Sequence, residues 1–221
     1  MKKLDIASWD RRDIYKVFRG MGVPHFSIST ELDVTALLAF ADRKKLPTYP
    51  LALYIMCRAA NEVRAFRLRL RGEEVVEHES LHIAPTVPWK NGLFNFVTAP
   101  YHEDPERFIS AYREAEARSR AMDALNLEDD AAVGDAALYT SCVPWFHLAA
   151  ASNPVFSAED SIPRVVWGKY VRRGRRSVMG VSVQCHHALV DGRDVALFLQ
   201  KAQELADGAA AVFAPLARRR R

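Results

Sequence analysis

The most chemically suggestive stretch of this sequence is HHALVDG at residues 186–192. A neutral imidazole accepts a proton near neutral pH, so a histidine here is a candidate general base that activates a hydroxyl. Asp191 is a candidate either for the N-cap of a following helix or for a buried ion pair that shapes the turn, and we favour the ion pair. Gly192 suits a close approach or a positive φ. The alternative interpretation is a core histidine beside an ordinary helix cap.

The elements around this motif predict how it is positioned. Residues 177–186 alternate as a strand, and His187 continues its apolar phase while His186 belongs to the opposite phase. We therefore expect His187 to point toward the apolar side. After Gly192 the spacing predicts a helix with one buried stripe, made of Val195, Phe198, Leu199, Ala202 and Leu205.

The remainder of the chain alternates between helical and strand patterns without a linker or a repeat, which predicts a single α/β layered domain. Helices are expected near residue 35, from Pro50, and after Asp104-Pro105. Residues 66–71 and 74–79 indicate a hairpin. Further strands are expected at 137–142 and 164–170, and an acidic loop at 126–135.

The composition excludes several function classes. The net charge of +4 is matched by the four arginines at 218–221, so the rest of the chain is near neutral and no nucleic-acid partner is expected. Three separated cysteines predict no disulfide framework, no metal site and a reducing cytoplasm. No membrane segment or export signal is predicted. A thiol nucleophile at Cys185, or a metal held by His186, His187 and Asp191, is a weaker alternative because no further ligand cluster accompanies them.

HHALVDG resembles the HHxxxDG signature of the chloramphenicol acetyltransferase family, and related segments extend from residue 4 to residue 206. The resemblance implies that His187 is the general base. It also implies that Asp191 pairs with Arg11 of the N-terminal segment. Ser141, in TSCVPW at 140–145, is implied as the donor to the oxyanion of the tetrahedral intermediate.

The same resemblance implies two sets of binding residues. The set expected along the coenzyme A channel is Lys169, Tyr170, Tyr49 and Trp145. In the acceptor pocket, Phe18 replaces a family tyrosine, Val166 replaces a threonine, and Ala151 and Asn153 stand where larger apolar residues are usual, which is expected to open and polarise that side. The acceptor pocket set is therefore Phe18, Phe94, Phe96, Ala151, Asn153 and Val166.

The resemblance further implies a two-layer α/β sandwich with a mixed sheet and helices on one face. It implies an O-acyltransferase that uses acetyl-CoA as co-substrate without a metal, with chloramphenicol as the leading small-molecule acceptor. A homotrimer with active sites at subunit interfaces is also implied. We expect residues 1–208 to form the acyltransferase domain and 209–221 to form a flexible basic tail.

Three alternatives stay open from the sequence. The first is that the acceptor is another small alcohol or amine. The second is that the protein is a non-catalytic ligand-binding or CoA-binding protein on the same fold. Other acyltransferase families also carry related motifs. Nonribosomal peptide condensation domains need about twice this length, and dihydrolipoyl acyltransferases usually carry arginine where this chain has Ala188.

Overall fold

The structure is a computed structural model that describes residues 1–217, without the side chains of residues 129–131 and 217. Nine strands lie within this part of the chain. They are β1 Lys2–Lys3, β2 His25–Asp33, β3 Leu68–Arg71, β4 Glu74–Glu77, β5 His82–Pro88, β6 Phe94–Phe96, β7 Ala137–Val143, β8 Arg164–Arg173 and β9 Arg176–His186.

Eight α-helices are present in the same part of the chain, along with two short 3₁₀ turns at Arg64–Arg67 and Lys90–Gly92. The α-helices are α1 Arg12–Arg19, α2 Thr35–Lys44, α3 Thr48–Glu62, α4 Pro105–Ala121, α5 Glu128–Val133, α6 Gly192–Asp207, α7 Ala209–Val212 and α8 Ala214–Ala217. The helix expected after Asp104-Pro105 is present as α4. The Asp104 side chain accepts from the backbone N–H of Glu106 at the start of α4.

Six strands form one mixed sheet in the order β2-β9-β8-β7-β5-β6. The pairs of β7 with β5 and with β8 are parallel, and the other three pairs are antiparallel. The predicted hairpin is present as β3–β4 and belongs to a separate three-stranded sheet with β1. The expected α/β architecture with a mixed sheet is confirmed.

The two faces of the large sheet differ. Val181 and Val183 of β9 belong to the main hydrophobic core with α2, α3, α4 and α6, and α3 is buried almost all round as its sequence predicts. Ser182, between these valines, faces away from the helices. Its hydroxyl donates to the carbonyl oxygen of Ala151 at 2.7 Å, so the segment after β7 covers this second face near β9.

This covering segment lies directly on the sheet because two strand positions lack a side chain. A Cβ atom at Gly180 of β9 would overlap the carbonyl oxygen of Leu148, and one at Gly168 of β8 would overlap the Leu148 backbone nitrogen. Lys169 also donates its backbone N–H to the carbonyl of Phe146 at 2.8 Å. Strands β8 and β9 are therefore covered on both faces near these glycines.

Two expectations about loops are wrong. The acidic segment 126–135 contains the short helix α5, and Asp135 binds Arg71 at 2.6 Å and His78 at 2.9 Å instead of lying in a solvated loop. A flexible tail does not begin at residue 209. Phe213 is fully buried against Phe40 and Tyr54, so burial of this ring holds α7 in place. The arginine run 218–221 lies outside the described residues.

Within residues 1–217, the structure contains no helix long and apolar enough to cross a membrane.

Candidate active site

Arg11 fixes the turn that follows β9. Its guanidinium donates through Nε to the carbonyl of Ala188 at 3.1 Å, through Nη2 to the carbonyl of His187 at 2.9 Å, and through Nη1 to Asp191 Oδ2 at 2.6 Å. Three donors of one rigid planar group thus bind three acceptors of the turn. The predicted Arg11–Asp191 pair is present, and it also sets the backbone that carries His187.

Asp191 performs both roles between which the sequence left a choice. Oδ2 binds Arg11, while Oδ1 accepts from the backbone N–H groups of Arg193 and Asp194 and caps α6. Asp194 accepts from the backbone N–H of Asp191 in return, which completes a capping box. Partial burial would raise the pKa of Asp191, but the hydrogen bonds from Arg11 and the helix backbone outweigh it and lower this pKa.

Two details of this turn differ from expectation. The Asp191 side chain is 36% exposed, so the ion pair lies at the surface edge of the turn and is not deeply buried. The φ of Gly192 is not positive, and an added Cβ would meet Ile28 at an ordinary contact distance of 3.8 Å. Gly192 is simply the first residue of α6, where the cap geometry accepts ordinary helical angles.

The imidazole of His187 lies between two phenylalanine rings. Phe18 stacks on it with a centroid distance of 3.9 Å and an interplanar angle of 15°, and Phe26 lies 4.4 Å away at 35°. Phe26 pairs with Cys185 and thus shares the helix-covered sheet face. Nδ1 of His187 is buried and has no hydrogen-bond partner among the described residues. The two rings therefore hold the imidazole plane, and Phe18, from the predicted acceptor set, lies directly against His187.

His186 points away from this pocket and uses both ring nitrogens. Nε2 lies 2.9 Å from the carbonyl oxygen of Ala158, and Nδ1 accepts from the backbone N–H of Ala188 at 3.1 Å. These two bonds require a proton on Nε2 and a lone pair on Nδ1. Burial lowers the pKa of His186 from 6.5 to about 4. The opposite orientations of the two histidines agree with the strand phase.

Ser141 lies in a row of side chains that crosses the face of the sheet opposite the helices. Its Oγ lies 2.9 Å from the Thr86 hydroxyl, and Ser141 pairs with Val166 across β7 and β8. Strand register continues the row through all six strands. The row consists of Phe96, Thr86, Ser141, Val166, Ser182 and Ser29.

Thr86 is the member of this row that contacts Ser141 and that sequence reasoning missed. It aligns with Ser141 through the parallel pairing of β5 with β7, 55 residues apart in the chain. No local pattern predicts that pairing. The only signal that could have found Thr86 is its place on β5 opposite the candidate serine of β7, and that requires knowing how the two strands pair.

His187 and Ser141 are not brought together within one chain. Ser141 is aligned through Val166 with Ser182, and His187 lies beyond the end of β9. Strand geometry places the two about 16 Å apart along the strands and about 10 Å apart across them. They also belong to different faces of the sheet. One chain therefore holds two separate groups of candidate residues.

The candidate coenzyme A residues Lys169, Tyr170 and Trp145 lie near the C-terminal end of β7 and the adjacent bulge of β8, and Tyr49 lies on α3. Tyr49 packs on Trp167 with a centroid distance of 5.8 Å. Tyr170 is hydrogen-bonded to Thr48, beside Tyr49, and burial raises its pKa to about 12. Lys169 is exposed at a β-bulge, and Trp145 is 77% exposed just before Phe146, whose carbonyl binds Lys169.

The remaining acceptor candidates lie on the helix-free face. Phe94 and Phe96 contact each other edge to face at 5.6 Å on β6. Ala151 uses its carbonyl to bind Ser182, and Asn153 exchanges hydrogen bonds with the Gln184 side chain. Gln184 accepts from the Asn153 side-chain amide, and the effect of Asn153 on an acceptor pocket stays a prediction.

Among the side chains that the structure describes, no cluster of three or more histidine, cysteine or acidic residues is arranged to hold a metal ion. The three cysteines Cys57, Cys142 and Cys185 are free, and burial raises the pKa of each thiol. An unreactive protonated thiol at Cys185 agrees with its position in the core.

The fold is that of a recognised class of acyltransferase domains. A solved dihydrolipoamide acetyltransferase from Azotobacter vinelandii matches 91% of this chain and 88% of its own with a TM-score of 0.64, and at 18% identity it shows the fold alone. A solved chloramphenicol acetyltransferase matches with a TM-score of 0.82 and 26% identity, over 92% of this chain and 99% of its own.

Sequence comparison identifies one family among the proteins that share this fold. The family model described as chloramphenicol acetyltransferase matches residues 1–203. Chloramphenicol acetyltransferase 3 of Escherichia coli is 27% identical over 205 residues, which cover 92% of this chain and 95% of the relative. The chain belongs to the chloramphenicol acetyltransferase family, and it is an acyltransferase.

Proposed function

We propose that this protein transfers an acetyl group from acetyl-CoA to a hydroxyl of a small molecule, with chloramphenicol as the leading acceptor. The observation that carries this proposal is the turn of residues 187–191, in which Arg11 binds two backbone carbonyls and Asp191. A turn fixed this firmly preorganises the imidazole that must meet the substrate. Family membership supports the reaction class and the named acceptor.

In the proposed mechanism, neutral His187 removes the proton from the acceptor hydroxyl while its oxygen attacks the thioester carbonyl carbon. Ser141 donates a hydrogen bond to the developing oxyanion, a contribution of about 3 kcal/mol. The tetrahedral intermediate collapses as the carbon–sulfur bond breaks, and the sulfur takes the proton from the imidazolium. No covalent acyl-enzyme is needed, and the products are the acetyl ester and CoA.

Thr86 fits this scheme as the group that orients Ser141. Its hydroxyl lies 2.9 Å from the serine Oγ. When Thr86 donates this hydrogen bond to Ser141 Oγ, the serine keeps its own proton free to donate to the oxyanion. Lys169, Tyr170, Tyr49 and Trp145 are the residues we assign to CoA, because they combine a cation with aromatic surfaces at one end of β7 and β8.

The decisive experiment is an assay of thiol release from acetyl-CoA with chloramphenicol beside a panel of alcohols, amines and thiols. Turnover of chloramphenicol is the expected result. Turnover with a different acceptor only would retain the chemistry and reject this acceptor. CoA binding without any turnover would instead favour a sequestering protein.

We also propose that the active site is completed by a second copy in a homotrimer. The distance between His187 and Ser141 within one chain supports this, since both groups must reach one substrate. Exposed large apolar side chains support it as well, because monomers seldom leave so many uncovered. They lie near His187 at Ile14, Val17, Met21 and Val23, and near Ser141 at Leu93, Phe94, Trp145 and Phe146.

Mixing two inactive variants tests this arrangement directly. His187→Ala and Ser141→Ala chains are unfolded and refolded together, so that some interfaces combine an intact histidine with an intact serine. Random assembly should restore roughly a quarter of wild-type activity. No recovery in mixed oligomers, or a fully active monomer in sedimentation, would reject the shared site.

A different acceptor is the second candidate, favoured by the segment 149–151, which consists of three alanines. This segment supplies little aromatic surface near Val166.

A cytoplasmic location is retained as a proposal, supported by the three free cysteines.

A further inference from the structure

The hairpin that joins β8 to β9 carries four exposed arginines close to the proposed CoA residues. Gly174 turns the chain with a φ of +61°, and Arg173 pairs with Arg176 across the end of the hairpin. Lys169 and Tyr170 lie a few residues before it on β8. The four arginines are Arg172, Arg173, Arg175 and Arg176.

Two of these arginines are engaged by acids of the same chain. Arg173 Nη2 lies 2.6 Å from Glu31, and Arg176 Nε lies 4.0 Å from Asp33. Arg172 and Arg175 form no ion pair with any side chain described within residues 1–217. Arg172 donates through Nε to the carbonyl of Gly174 at 3.2 Å, which leaves its outer nitrogens free. The uncompensated charge of the hairpin is thus concentrated on Arg172 and Arg175.

Strand register separates the two kinds of arginine. Tyr170 pairs with Met179, a core residue, and Arg172 pairs with Ser177 two positions further along. Alternate residues of a strand share a face, so Arg172 follows Tyr170 on the helix side at about 7 Å. Arg173 lies on the opposite face, where it meets Glu31. The unpaired guanidinium of Arg172 therefore lies beyond Tyr170, toward the hairpin turn and away from the centre of the sheet.

We propose that Arg172 and Arg175 bind the 3′-phosphate of CoA. This inference rests on the proposed function, with the adenine of CoA beside Tyr170. With the adenine there, Arg172 would be the next side chain on the same strand face to meet the ribose 3′-phosphate, and Lys169 would remain for the diphosphate. A guanidinium binds a phosphate dianion through two parallel N–H donors, and an arginine already paired with a carboxylate does so less readily.

Binding of CoA alone tests the proposal by titration calorimetry, with dephospho-CoA as the ligand that lacks only the 3′-phosphate. Arg172→Ala should weaken CoA binding about five- to tenfold, as expected for one exposed charge-assisted contact, and the Arg172→Ala/Arg175→Ala variant about 30-fold. Dephospho-CoA should bind these variants and the wild type equally. Arg173→Ala is the matched control, since it removes the same charge from the same hairpin, and it should change CoA affinity less than about twofold.

Kinetics give a second readout. The KM for acetyl-CoA should rise by the same factors with an unchanged kcat, and the KM for chloramphenicol should not move. Equal weakening of CoA and dephospho-CoA, or equal effects of Arg172→Ala and Arg173→Ala, would overturn the proposal as a general charge effect. Normal CoA binding without acceptor turnover would count against the proposed function and leave the calorimetric comparison decisive.

Discussion

The turn that carries His187 and the sheet face that carries Ser141 are built in opposite ways. Arg11, the α6 cap and two phenylalanine rings fix the turn from within the chain. Ser141 has one described side-chain partner, Thr86, on a face that the helices leave open. A fixed His187 and an open face around Ser141 fit the proposed site shared between subunits, in which each chain would contribute one half.

The largest expected effect is on the base itself. His187→Ala should lower kcat by about 10³-fold or more, because general base catalysis contributes about 10²- to 10⁴-fold. Steady-state kinetics with purified protein measures it, and circular dichroism with sedimentation checks folding and assembly. His147→Ala, which removes a histidine bound to Glu31, is the control. A His187→Ala enzyme within tenfold of wild type would show that another group is the base.

The open face should give the next largest effect. Ser141→Ala is expected to lower kcat about 10²-fold with little change in KM, because the serine acts mainly in the transition state. Thr86→Val keeps the shape of its side chain and removes its hydroxyl, so a loss of about three- to tenfold is expected if Thr86 orients the serine. Equal rates for Thr86→Val and wild type would show that Thr86 does not orient the serine.

The turn can be dissected by stability measurements. Arg11→Ala should lower the free energy of unfolding by about 2–3 kcal/mol, since it leaves three acceptors without a donor. Asp191→Asn keeps the cap and loses the ion pair, so about 1 kcal/mol is expected, and Asp191→Ala should lose about 1 kcal/mol more with the cap. Urea unfolding measures all three. Identical stability of the Asn and Ala variants would show that the cap contributes nothing.

The smallest effect concerns acid stability at His186. Its pKa is about 4 in the fold and 6.5 when exposed, so between these values the unfolded chain binds a proton that the folded chain does not. Stability must therefore fall as the pH drops from 6.5 to about 4. His82, whose pKa burial also lowers, acts in the same direction. The melting temperature of His186→Asn should change less over this interval than that of wild type, and equal slopes would contradict the assignment.

The sequence predicted the strands near the site to within a few residues. In β9 and α6 the apolar residues that recur with the local period are also the residues that pack into the core, so the sequence pattern alone predicts both elements. Arg11 and Ser141 were found through family resemblance, because no local pattern links Arg11 to a turn 180 residues away. Their positions are now described, while their catalytic roles stay predictions.

The errors have a common physical origin in long-range packing. Glycines at 168 and 180 admit the backbone of Leu148 onto the second face of the sheet, a contact that strand alternation does not report. Phe213 anchors a segment that composition alone classed as a tail. Thr86 became visible only through the parallel register of β5 and β7. Each case depends on a partner distant in sequence, and no local propensity reports such a partner.

The Arg11–Asp191 contact has a consequence for synthesis of the chain. It joins the first dozen residues to a turn that leaves the ribosome among the last of the domain. During translation, Arg11 can form these hydrogen bonds only after almost the entire domain has been synthesised. The backbone of His187 acquires this support only then, so a chain that lacks Arg11 would carry the motif without the hydrogen bonds that fix its turn.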